Sequence, residues 1–177
     1  LQSCNWSPNC DQLRVSYANK NWIFPSTIGE AEEKHGLAFK QPAYYYTTDS
    51  TNLEVVVCFH NKSGDYDDDR QQKETLYPRD VHTYLFQFKA GQNTYDSLKL
   101  DLEKKYQKRF VLTKGLKTWN IFIEEKNRPF EQNLLIVNEC LAFGISNGKS
   151  ERFGKVVNVH MMYGLSLGDI GVQAGGW

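Results

Sequence analysis

The segment Val81–Lys89 constrains the fold more than any other stretch of the chain. Successive side chains of a strand point to opposite faces. His82, Tyr84, Phe86 and Phe88 therefore share one face, and Val81, Thr83, Leu85 and Gln87 the other. Both faces are mostly apolar, which predicts a central strand covered on both sides. The aromatic row headed by His82 is a candidate floor for an apolar ligand, although such stripes in strands are usually core.

One covering element is legible. Tyr95, Leu98, Leu102 and Tyr106 recur at spacings of three and four and form a single apolar stripe, predicting a long amphipathic helix at about 94–109. Asn93 suits its N-cap, Asp96 its first turn, and Asp101 and Lys105 are spaced to pair. Lys104, Lys105, Lys108 and Arg109 fall in the last turns, where cations complement the helix dipole. That placement explains the basic cluster without a polyanionic ligand.

A second, short helix is predicted at about 28–35. Thr27 and Glu30 have capping-box spacing, Gly36 suits the C-terminal cap, and Ile28 and Ala31 form the docking face. The remaining patterns are strands. Leu13, Val15 and Tyr17 alternate with polar residues, and Ala18-Asn19-Lys20 turns the chain into Trp22-Ile23-Phe24. Ala43–Thr48 and Leu53–His60 read as a hairpin across Asp49–Asn52. Further strands are expected at Trp119–Glu124, Leu134–Ile145 and Lys155–Tyr163, with turns at Asn127-Arg128-Pro129 and Asn147-Gly148-Lys149. The expected class is α+β, mainly antiparallel, with about eight strands. The reading is one domain over 1–177, with an N-terminal loop at 1–11, an exposed acidic loop at 61–75 and a Gly-rich C-terminal tail at 164–177.

The 21 basic and 21 acidic residues cancel, so no global field draws a nucleic acid or an anionic membrane. No apolar run is long enough to span a bilayer. Leu1 stands first in place of Met, which fits either removal of a signal peptide or an engineered start. Four cysteines, Cys4, Cys10, Cys58 and Cys140, allow three pairings. We expect Cys4–Cys10, closing a short loop, and Cys58–Cys140, joining two strand-like runs. Disulfides place the chain outside the cytoplasm: secreted, periplasmic or on a cell surface. Leu1-Gln2-Ser3-Cys4 also resembles the end of a bacterial lipoprotein signal, which would imply a lipid anchor at Cys4. The sequons Asn5-Trp6-Ser7 and Asn61-Lys62-Ser63 are no more than composition produces by chance.

Chemistry-bearing patterns are sparse. Asp65, Asp67, Asp68 and Asp69 form an oxygen-rich loop of the kind that holds calcium, yet lack EF-hand order. A solvated acidic loop is the favoured explanation, so no cofactor is expected, with calcium as the alternative. No zinc spacing, nucleophile elbow or phosphate loop occurs. A thiol–imidazole mechanism would draw on Cys58 or Cys140 with His60, His82 or His160. Asn158 and His160 share one face of an apolar strand and are candidate pocket residues.

These features favour a non-enzymatic extracytoplasmic binding protein that recognises a protein or small apolar ligand through an aromatic-rich surface. Tyr44, Tyr45, Tyr46 and Tyr66 are the candidate contacts, with His82, Asn158 and His160. The alternatives are a hydrolase or transferase that uses His160 and Asn158 with an acidic partner, and an inhibitor or immunity protein of a secreted enzyme.

Overall fold

The computed structural model describes residues 10, 12–40, 45–47, 51–59, 81–91, 93–115, 130–138 and 140–163. At 38–40, 45–47, 58, 59, 82, 112–115 and 130–132 it describes the backbone alone. Among these residues the class is α+β, with antiparallel sheets and two helices.

The chain opens with the hairpin β1 (Leu13–Tyr17) and β2 (Lys20–Phe24), paired Tyr17 to Lys20. Ala18 and Asn19 both take positive φ, 49° and 61°. This two-residue turn geometry matches the twist of the flanking strands. Helix α1 (Ile28–His35) follows with the expected capping box: Thr27 Oγ1 accepts from the Glu30 amide at 3.2 Å, and Glu30 Oε2 accepts from the Thr27 amide at 2.9 Å. Gly36, at φ 63°, closes it in the left-handed region that glycine enters without strain. Ile28 and Ala31 are buried as expected, and so is His35.

The framework is a six-stranded antiparallel sheet in the order β5-β6-β10-β9-β8-β7. Its members are β5 (Leu53–Phe59), β6 (Val81–Lys89), β7 (Val111–Gly115), β8 (Phe130–Ile136), β9 (Leu141–Ser150) and β10 (Gly154–Tyr163). Strand β6 is internal and buried on both faces, as its composition predicts. The β1–β2 hairpin and helix α2 (Tyr95–Tyr106) pack on the face carrying Tyr84, Phe86, Val159 and Phe143. Trp22 and Phe24 are fully enclosed there, with Trp22 4.6 Å from Tyr84 and Tyr17 4.8 Å from Phe86 between ring centroids. Each such aromatic pair adds about 1 kcal/mol beyond the apolar area it buries. Leu98 and Leu102 dock α2, and Asn133 Nδ2 on β8 donates to the Tyr95 hydroxyl.

Several expectations need correction. Among the described residues no ladder joins Leu53–Phe59 to the preceding strand, although the two lie close together. Strand β4 (Tyr45–Thr47) pairs with β3 (Ala38–Lys40), while β5 pairs with β6. Leu134–Ile145 is not one strand but two, β8 and β9, and the strand tally differs from the expected eight partly for this reason. Asn138 breaks the run by accepting the amides of Cys140 and Leu141 at 2.8 and 2.9 Å. Asn147-Gly148 lies inside β9. The β9–β10 turn falls at 151–153, where Ser150 Oγ accepts from the Phe153 amide at 3.0 Å and Gly154 follows at φ 67°. Thr94, not Asn93, caps α2, exchanging hydrogen bonds with Ser97, and Gln107 at φ 52° ends the helix before residue 109.

The cysteine pairing is also corrected. Cys10 and Cys140 form the disulfide, their Cα atoms 5.4 Å apart, so neither Cys4–Cys10 nor Cys58–Cys140 is available. The bridge ties the N-terminal segment to the β8–β9 turn. Tyr163 Oη reinforces it by donating to the Cys10 carbonyl at 3.1 Å. Cys4 and the Cys58 side chain lie outside the described residues.

Candidate functional site

A cleft of about 410 Å³ opens where the β1–β2 turn meets α2. Residues 16–21 form one wall, and Asp101, Leu102 and Lys105 the other. The size is within the roughly 300–1,000 Å³ of small-molecule sites. Leu102 is a buried, apolar wall residue and the polar groups stand around it.

The polar groups are held by the framework. Ser16 Oγ donates to Asn21 Oδ1 at 2.5 Å across the hairpin, which leaves the Asn21 amide nitrogen available. Lys105 Nζ donates to the Ser16 carbonyl, tying α2 to β1. Partial burial lowers the pKa of this ammonium from its ordinary value. The expected Asp101–Lys105 pair is therefore not formed: Lys105 reaches the hairpin instead. Asp101 has no ion-pair partner among the described residues. Lys20, which also lines the cleft, donates its Nζ to the His35 carbonyl at 2.7 Å. Below the turn, Tyr17 is wedged against Phe86, Phe88 and Phe143, and its buried hydroxyl has no hydrogen-bond partner. Desolvation first, then the Asp101 and Tyr106 charges, raise its pKa, so it stays a neutral phenol.

The residues singled out from sequence are placed elsewhere. Asn158 and His160 lie on the sheet face opposite the hairpin and α2. There His160 is flanked by Leu85 of β6 and Gly144 of β9. Gln87 Nε2 donates to Asn158 Oδ1 at 3.3 Å, and the Asn158 amide lies over Gly148. His160 is half-buried, and desolvation lowers its pKa to about 4, so the imidazole is neutral near neutral pH. Neighbouring Val56, Leu85, Leu134, Ala142 and Met162 are buried and apolar. Thus the structure brings Asn158, His160 and Gln87 into one strip, but not to the cleft.

Cys140 is bonded to Cys10 and is no nucleophile. Tyr45, Tyr46 and His82 fall on β4 and β6, with side chains outside the described residues. Tyr44, His60, Tyr66 and Asp65, Asp67, Asp68 and Asp69 lie outside them altogether. Among the described residues no three His, Cys, Asp or Glu converge as metal ligands, and no helix is long and apolar enough to cross a membrane.

Sequence reasoning missed the cleft because its walls come from segments about 85 residues apart along the chain. The only local signal was the positive-φ turn at Ala18-Asn19. Comparison with known protein families, with curated proteins and with solved structures finds no match to this chain.

Proposed function

We propose that this chain is a non-enzymatic binding protein of an oxidising, extracytoplasmic compartment, and that its ligand seat is the cleft between the β1–β2 turn and α2. The observation that carries the reading is the Asp101 carboxylate, which has no ion-pair partner among the described residues and lines the same cleft as Lys20, Asn21 and Lys105. Polar groups held in place before a ligand arrives reduce the ordering cost of binding. Here Ser16, Asn21 and Lys105 are linked by hydrogen bonds across the cleft wall. The Cys10–Cys140 bridge supports the compartment, since such bonds persist where glutathione does not reduce them.

The chemistry of the walls favours a small zwitterion the size of an amino acid or dipeptide. Its ammonium would meet Asp101, and its carboxylate would meet the spare donors of Lys20, Lys105 and Asn21. Of the aromatic residues described, Tyr17, Trp22, Tyr84 and Phe86 belong to the core, while the candidate contacts Tyr44 and Tyr66 and the side chains of Tyr45 and Tyr46 lie outside the described residues.

The test is isothermal titration calorimetry of the full chain against free amino acids and dipeptides. The expected result is saturable one-to-one binding by at least one probe, weakened at least tenfold in Asp101→Asn. Uniform failure of the panel, or affinity indifferent to Asp101→Asn, refutes the assignment. Turnover of a bound dipeptide would instead make the protein a hydrolase.

A further inference from the structure

The cleft has a built-in connection to a buried histidine. His35 ends α1 and is 5% exposed. Its Nε2 is buried without a hydrogen-bond partner among the described residues. The ring lies 4.3 Å from that of Trp22, inclined by 36°, and meets Tyr84 edge-on at 5.8 Å. The charges around it are positive. Lys20 of β2 donates its ammonium to the His35 carbonyl at 2.7 Å. Lys34 adjoins on α1, paired at 3.7 Å with Glu30, itself one turn away. Tyr84 of β6 is a neutral phenol, its pKa raised to about 12 by burial. The charges that act on the imidazole are the Lys20 and Lys34 ammonium groups, and no carboxylate is among them.

Desolvation, then Lys20 and Lys34, lowers the His35 pKa to about 4. A proton taken up in place would leave an enclosed cation with two ammonium groups nearby and no acceptor. The attraction of the Trp22 face for a cation offsets only part of that cost. The cheapest relief is movement of the last turn of α1, an eight-residue helix held mainly by Ile28, Ala31 and His35. Such movement breaks the Lys20–His35 carbonyl bond, and Lys20 also lines the cleft.

We propose that His35 is an acid-sensitive latch: protonation undocks the C-terminal turn of α1 and releases Lys20, changing the cleft on the far side of β2. The consequence for ligand binding rests on the cleft being the ligand seat; the latch itself does not. As a regulatory element, it would let one site hold its ligand near neutral pH and present a different arrangement of charge in acid.

The experiment uses the full chain without ligand. Histidine ring resonances and amide exchange are followed from pH 7 to 3.5, with the lysines dimethylated by a carbon-13 label. In wild type, His35 is expected to titrate well below 6.5. Protection of the Ala31–His35 amides should fall at least tenfold further than that of β9 and β10 over that transition, with the Lys20 signal shifting in step. His35→Gln should abolish the transition. Should that variant fail to fold, Lys20→Met serves instead, with low α1 protection already at neutral pH. Titration of His35 near 6.5, unchanged α1 protection, an equal loss of protection across the sheet, or a Lys20 signal that ignores the transition would each overturn the proposal. Failure of the amino-acid panel alone would refute the ligand assignment and leave the latch standing.

Discussion

Removing the Cys10–Cys140 bridge is the sharpest perturbation of this fold. The bond links residues separated by 130 positions. The chain-entropy relation for a loop of that length gives roughly 17 cal/mol/K, or about 5 kcal/mol at room temperature. Freeing residue 10 also endangers the Tyr163–Cys10 hydrogen bond, worth about 1 kcal/mol. Domain stabilities run from about 5 to 15 kcal/mol, so the bridge supplies a third or more of the total. The variant is Cys10→Ser with Cys140→Ser, because either change alone leaves an odd thiol free to exchange. Guanidinium denaturation should show a loss of about 4 to 6 kcal/mol, and peptide mapping of the parent should recover Cys10 linked to Cys140. A loss below about 1 kcal/mol, or recovery of Cys10 linked to Cys4, would refute the entropy argument or the pairing beneath it.

Acid should destabilise the fold through two histidines. His35 and His160 have folded pKa values lowered from 6.5 to about 4. Their contribution is therefore fully present above pH 6.5 and is lost as pH falls through about 4. Enclosed His35 accounts for at most about 3 kcal/mol of this. Urea midpoints at pH 7, 5 and 4 should decline stepwise, and a flat profile would contradict the assignment. Gly148→Ala should cost no more than about 1.5 kcal/mol. The new Cβ would meet Asn158 Nδ2 at 2.3 Å, so that side chain must swing away from Gln87, visible as shifted amide resonances of both. Ala18→Gly relieves a left-handed alanine in the β1–β2 turn and should raise stability by up to about 1 kcal/mol by thermal or chemical denaturation.

Sequence was most informative where the determinants are local. The α1 boundaries follow from Thr27, Glu30 and Gly36 because each acts within one turn of the helix. The apolar stripe of α2 survives because Leu98 and Leu102 face the sheet whatever the cap residue is. Reading failed where a remote partner decides. Asp49–Asn52 has turn chemistry, yet Leu53–Phe59 takes β6 as its neighbour, a choice that no residue of the intervening turn encodes. Asn147-Gly148 has the composition of a turn, but it pairs with Val156 and Val157 of β10, and the Asn158 amide fills the space a Cβ at 148 would need. The cysteine pairing and the cleft are likewise products of topology, each formed by residues that share no sequence neighbourhood. His35 was not singled out at all. A lone histidine in a short amphipathic helix carries no mark of burial until Trp22 is known to lie beneath it.

The placement of β10 between β6 and β9 has a consequence for how the molecule is made. The last described strand to be synthesised is the one that joins the two halves of the sheet, through Val156–Met162 on β6 and Gly154–Tyr163 on β9. A nascent chain that has not reached Gly154 carries β5–β6 and β7–β8–β9 as separate pieces, each with an open hydrogen-bonding edge. Such a chain cannot close its core, and it exposes sticky strand edges until β10 has been made. Completion then depends on pairings remote in sequence, which slows folding relative to a meander of the same size. Premature termination before residue 154 should therefore yield aggregate and not a smaller folded protein.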